Sequence, residues 1–208
     1  METIFGIDST LYKVMSKFSQ IMIINLLWIL CSLPIITIGA STTALYYVSL
    51  KIAKNEEGNI VKQFFSSFRN NFVQATILWL LFVLVGAILG VNYFYYWIMG
   101  NSASKGLQVV FIILMIVYGF ALSIVFPVLA KFDNTVKGTI IFSILTSIIN
   151  IGWSLLIVVI SLLIVNFTIV LNGFPIFFAI GGATCLHAYI YNHVFDRYVK
   201  KHPVERII

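Results

Sequence analysis

Asn25–Lys51 reads NLLWILCSLPIITIGASTTALYYVSLK, and how this stretch meets a membrane decides the arrangement of everything after it. No charge interrupts the chain from Phe18 to Leu50, yet Pro34 and Gly39 break its middle. One straight helix of ~33 residues would run ~50 Å, against a hydrocarbon core only ~30 Å thick. The stretch is therefore one span with a long interfacial extension, or two short spans folded back at the break. The second reading is adopted. Pro34 has no N–H to donate and its ring clashes with the preceding turn. Gly39 tolerates positive φ, which suits a turn. Gly39, Ala40, Ser41 and Thr42 open a run of small residues, which lets membrane helices approach closely while hydroxyls bond across the contact. Pro34, Gly39, Ala40, Ser41 and Thr42 are the expected helix-packing residues.

The rest of the composition agrees with a membrane setting. Of 208 residues, 61% are hydrophobic and 10% charged, the balance of a polytopic membrane protein with one domain over 1–208. The net charge of +6 fits basic cytoplasmic loops facing anionic lipid better than nucleic acid, for which no reader motif is present. Cys31 and Cys185 lie in apolar runs without metal or redox spacing.

Reading along the chain, Ile4, Ile7, Leu11, Met15 and Phe18 recur at helical period, so an interfacial amphipathic helix is expected over 1–17, capped at Asp8, Ser9 or Thr10. Spans one and two follow as Phe18–Leu33 and Ile38–Ala53. A cytoplasmic loop over 54–71 holds the turn Asn55–Asn59, then a second amphipathic helix carrying Phe64, Phe65 and Phe68 and running straight into span three. Span three, about Phe72–Tyr96, ends in the aromatic belt Tyr93–Trp97. A loop at Asn101–Gly106 leads to span four, Leu107–Ala130. Ile140–Leu171 is too long for one span, so an interfacial lead-in to Ile149 is expected before span five. Asn172–Pro175 is a turn, span six is Ile176–Phe195, and a basic tail occupies 196–208. The expected fold is thus all-α with six transmembrane helices, five being the alternative. With six spans and both termini inside, twelve of the thirteen Lys and Arg are cytoplasmic, the best fit to the positive-inside rule. Asn59-Ile60-Val61-Lys62 and Asn134-Thr135-Val136-Lys137 also form a faint internal repeat, each opening a helix after an inward span.

Catalytic chemistry is not expected. The spans carry no charge in their interiors, which removes a buried proton-relay carboxylate and paired acid–base groups. No nucleotide-binding loop occurs, and no cofactor or metal site is expected. His187 reads as a neutral histidine bonded within the bundle. His193, Asp196 and Arg197 read as a solvated helix end, and His187 and His193, six apart, face differently. Asn25, Asn92, Asn150 and Asn166 read as interhelical hydrogen-bonding groups. The aromatic face Phe64, Phe65, Phe68 is the one candidate for partner binding, set against a helix lying flat on lipid.

The segments NLLWILCSLPIITIGASTTALYYVSLK, EEGNIVKQFFSSFRNNFVQATILWL and FPVLAKFDNTVKGT resemble the bacterial YesL family of membrane proteins. The resemblance covers nearly the whole chain. It implies no catalytic residues, because the molecular function of that family is unknown. Its genes commonly neighbour carbohydrate ABC transporters and polysaccharide-degrading enzymes. By association this implies an accessory or partner subunit of a carbohydrate transport system in the plasma membrane. A membrane scaffold or signalling protein, for a sensor kinase for example, is the alternative. The expected partners are the lipid bilayer and either ABC transporter components or such a kinase.

Overall fold

The computed structural model of the protein describes residues 10–56, 58–100, 102–171 and 176–201, and the secondary structure there is helical. The helices are α1 (Thr10–Cys31), α2 (Ile38–Lys54), α3 (Ile60–Met99), α4 (Ser102–Lys131), α5 (Val136–Ile149), α6 (Ile151–Val170) and α7 (Ile176–Lys201), with one 3-10 turn at Ile35–Thr37. The expected cap at Asp8 or Ser9, the turn 172–175 and the last residues of the tail lie outside the described residues.

Four stretches among the described residues are long and apolar enough to cross a membrane: Ile35–Lys54, Ile60–Met99, Ser104–Lys131 and Ile151–Val170. The sequence suggested six. The apolar part of α1 described, Met15–Cys31, is a shorter stretch, and α7 carries Asp196 and Arg197 before its end.

Several expected boundaries dissolve into longer helices. α1 passes Phe18 without a break, so the amphipathic lead-in and the first apolar segment are one rod from Thr10 onward. α3 runs unbroken for 40 residues from the amphipathic stretch to the aromatic belt. At 1.5 Å per residue it is about 60 Å long, twice the hydrocarbon thickness. The amphipathic stretch Phe64–Phe72 and the apolar stretch after it are thus one helix. The loop expected at Asn101–Gly106 is mostly helix, since α4 begins at Ser102, and the tail is helical to Lys201.

Local chemistry explains the ends that do occur. α2 stops where Asn55 takes φ 56°, a left-handed residue that donates its N–H back to Ile52 and Lys51. Asn59 caps α3, its side chain accepting from the Lys62 N–H at 3.0 Å. Gly100, at φ 64°, closes α3. Thr135 caps α5 by accepting from the Gly138 N–H at 3.2 Å. The two halves of the faint repeat are thus both helix N-caps. α5 gives way to α6 at Asn150.

α2 is the central helix. Eleven of its residues are buried, and it packs against α1, α3, α4 and α7. The main core joins Ala40, Tyr46 and Leu50 of α2 to Ala75, Leu78 and Phe82 of α3, to α4 from Ala121 to Ala130, and to Tyr191 and Phe195 of α7. A second cluster gathers Ile24, Ala44, Leu45, Val48, Ile52, Phe64 and Cys185.

Candidate functional site along the second and seventh helices

Gly39 makes the approach of α2 to α3 possible. It is helical, not in a positive-φ turn as the sequence suggested. A Cβ built there would clash with the Ala75 carbonyl oxygen and stand 2.7 Å from the Trp79 Cβ. Ala40 and Ser41 are fully buried beside it, and Thr42 is half-buried and accepts from the Trp28 indole N–H at 3.1 Å. Pro34 does not pack between helices. It is exposed at the tip of the α1–α2 hairpin, where its carbonyl accepts from the Thr37 N–H at 2.9 Å.

From there a buried polar seam follows α7. The Asn25 side chain accepts from the Gly181 N–H at 3.0 Å. Ser49 donates to Thr184 at 3.4 Å, and the Cys185 thiol to Ser49 at 3.6 Å. The Tyr46 hydroxyl lies 3.4 Å from His187 Nδ1, and Asn192 donates to the Leu50 carbonyl at 3.0 Å. Tyr191 donates to the Ser123 carbonyl at 2.7 Å. That last bond has a cause four residues away. Pro127 sits inside α4 and has no N–H for the Ser123 carbonyl, so a neighbouring helix supplies the donor.

At the end of the seam Asp196 accepts from Lys54 at 2.9 Å and lies 3.9 Å from Lys131. Lys54 ends α2, Lys131 ends α4, and Asp196 stands near the end of α7. The three helix ends therefore lie together, on one side of any membrane. The sequence reading of Asp196 as merely solvated misses this. No local spacing signals a pair 142 residues apart.

Chemically the seam is occupied with holding helices. Its hydroxyls and the Asn25 and Asn192 side chains bond to one another or to backbone, while His187 Nε2 and Asn192 Oδ1 are buried without a hydrogen-bond partner, and it contains no carboxylate above Asp196. Among the described residues no His, Cys, Asp and Glu group could hold a metal ion. A groove of about 270 Å³ between α3, α4 and α5 has an apolar lining that includes Leu81, Phe82, Val85, Ala121 and Ile144.

The remaining expected residues divide. Phe64 is fully buried in the second cluster, stacked on half-buried Phe68 with ring centroids 6.4 Å apart. Only Phe65, 47% exposed, faces outward. The three do not form one free face, because Phe64 and Phe68 share the side turned to α1 and α2 and Phe65 is rotated away from it. Asn25 bonds between helices, but Asn92 and Asn150 donate to carbonyls of their own helices, Ile88 and Thr146, and Asn166 is exposed. His193 is exposed against the Trp153 ring, away from buried His187.

Residues 21–93, from α1 to the aromatic end of α3, match the family model described as protein of unknown function, DUF624. No curated protein and no solved structure matches the chain.

Proposed function

We propose that the protein is a multi-pass component of the bacterial plasma membrane that serves a carbohydrate transport system as an accessory or partner subunit. Its six apolar helices pair as three hairpins, α1 with α2, α3 with α4 and α6 with α7, and both termini face the cytoplasm. The meeting of Lys54, Lys131 and Asp196 supports this orientation, since it gathers the basic loops after α2 and α4 with the basic end of α7. The observation that carries the accessory role is the closed seam. A conduit presents polar groups to a path, whereas here Asn25, Ser49, Tyr191 and the Asn192 amide N–H bond between α1, α2, α4 and α7. The DUF624 match supports the YesL resemblance, since the YesL proteins fall within that family, and the transport association comes from that resemblance.

The second reading is a scaffold for a cytoplasmic signalling partner such as a sensor kinase. It is favoured by exposed Phe65 beside exposed Lys62 and Arg69 on the first turns of α3. Affinity capture from native membranes in a mild detergent separates the two. Enrichment of an ABC permease or ATPase over a mock capture is expected. Enrichment of a kinase that is lost in Phe65→Glu favours the scaffold, and capture of neither class contradicts both.

A further inference from the structure

We infer that the α1–α2 hairpin does not cross the bilayer but dips into its cytoplasmic leaflet, seating Leu33, Ile35 and Ile36 among lipid acyl chains. This deepens the proposed membrane orientation and rests on it. α3 supplies the ruler, because three marks fall along one unbroken helix. Gln74 donates to the Asn134 carbonyl, in the loop that carries exposed Asp133 and leads to exposed Lys137 in the first turn of α5. Charges there place that level at the cytoplasmic edge of the hydrocarbon. Trp79 donates its indole N–H to the Ile35 carbonyl at 2.9 Å, which fixes the hairpin tip. Tyr93–Trp97 form the aromatic belt at the far edge. From Gln74 to Tyr93 the helix rises about 28 Å, close to one hydrocarbon thickness of ~30 Å. From Gln74 to Trp79 it rises only about 7.5 Å. The tip enters the membrane and stops far short of the outer surface.

Two further features of the tip fit that depth. Leu33 and Ile35 are each 74% exposed and Ile36 57%, and no charge stands near them, a poor surface to present to external water. Three carbonyls of the turn, those of Cys31, Pro34 and Ile35, are also bonded within the protein. Thr37 donates its hydroxyl to the carbonyls of Cys31 and Pro34, each at 2.6 Å, and the Ile35 carbonyl receives both Trp79 and the Ile38 N–H. Turns exposed to water need no such pairing, whereas unpaired groups in hydrocarbon are costly. The stretch Ile35–Lys54, which holds α2, has the lowest mean hydropathy of the four candidate spans, 1.3 against 2.5 to 2.9, and is the most buried of them. Its apolar character serves packing against protein. Because the tip is uncharged, the positive-inside count is the same whether the hairpin crosses or dips.

The test places single cysteines by Leu33→Cys, Ser66→Cys and Lys105→Cys in a background carrying Cys31→Ser and Cys185→Ser. Each variant is exposed to an impermeant maleimide in intact cells and in inverted vesicles. The expected pattern is Lys105→Cys labelled in intact cells, Ser66→Cys in inverted vesicles, and Leu33→Cys at background in both. A nitroxide at Leu33→Cys should collide with oxygen and not with an aqueous nickel complex. Labelling of Leu33→Cys in intact cells overturns the inference and leaves the orientation standing. Its labelling in inverted vesicles alone also overturns it, because the tip is then in cytoplasmic water. Labelling of Ser66→Cys in intact cells overturns the orientation itself. Ile36→Cys carries the same readings if Leu33→Cys fails to fold.

Discussion

The Ser123 carbonyl shows how one residue type dictates another at a distance. Pro127 leaves it without its helical donor, and the Tyr191 hydroxyl takes that place at 2.7 Å. Tyr191→Phe should lower stability in detergent by about 1–2 kcal/mol, the cost of a buried group left unpaired. In a Pro127→Ala background the Ala N–H restores the helical bond, so the same substitution should cost clearly less. Equal losses in both backgrounds, measured as thermal stability, contradict the coupling. Glycines give a second contrast. Gly39→Ala must push against the Ala75 carbonyl, whereas a Cβ at Gly182 meets nothing within 4 Å. Gly39→Ala, like Ala40→Leu, should cost about 1–3 kcal/mol, the usual penalty of overpacking. Gly182→Ala should be near neutral, and equal effects would show that α2 and α3 do not touch as described.

At the scale of elements, the first stretch of α3 has two sides with different duties. Phe64 fills the second core cluster, while Phe65 stands outside it. Phe64→Ala should lower stability by about 3 kcal/mol. Phe65→Ala should leave stability almost unchanged, and the reverse order would invert the orientation of α3. Much of this level was legible in the sequence. The break at Pro34, the stop at Asn55, the N-cap of α3 and the interruption near Asn150 follow from residues with few conformations to choose from. The continuity of α3 through Phe72 was read, as an amphipathic helix running straight into span three, but that of α1 through Phe18 was not. The amphipathic and apolar patterns differ on either side of that junction, and a pattern change imitates an element boundary. A helix ends at a cap or a breaker, and that junction has neither. The side that carries Phe64 and Phe68 was also misplaced, for another reason. Helical periodicity shows which residues share a side and not whether the chain itself covers it. Phe64 and Phe68 are covered by α1 and α2.

The whole molecule is organised by contacts across long stretches of sequence, and these were the least legible. Asp196 reads as a helix end until Lys54 and Lys131 are placed beside it. Its side chain is 46% exposed, so the ion pair itself contributes about 1 kcal/mol or less. Its importance is positional, because it gathers the ends of α2, α4 and α7 on one side of the membrane. The central claim is that this gathering faces the cytoplasm. The most direct measurement pairs Lys54→Cys with Asp196→Cys in the background carrying Cys31→Ser and Cys185→Ser. A short, impermeant bis-maleimide is added to inverted vesicles and to intact cells. An intramolecular cross-link is expected in inverted vesicles and none in intact cells. Cross-linking from the intact-cell side contradicts the orientation, and two cysteines that label singly without ever joining contradict the meeting of α2 and α7.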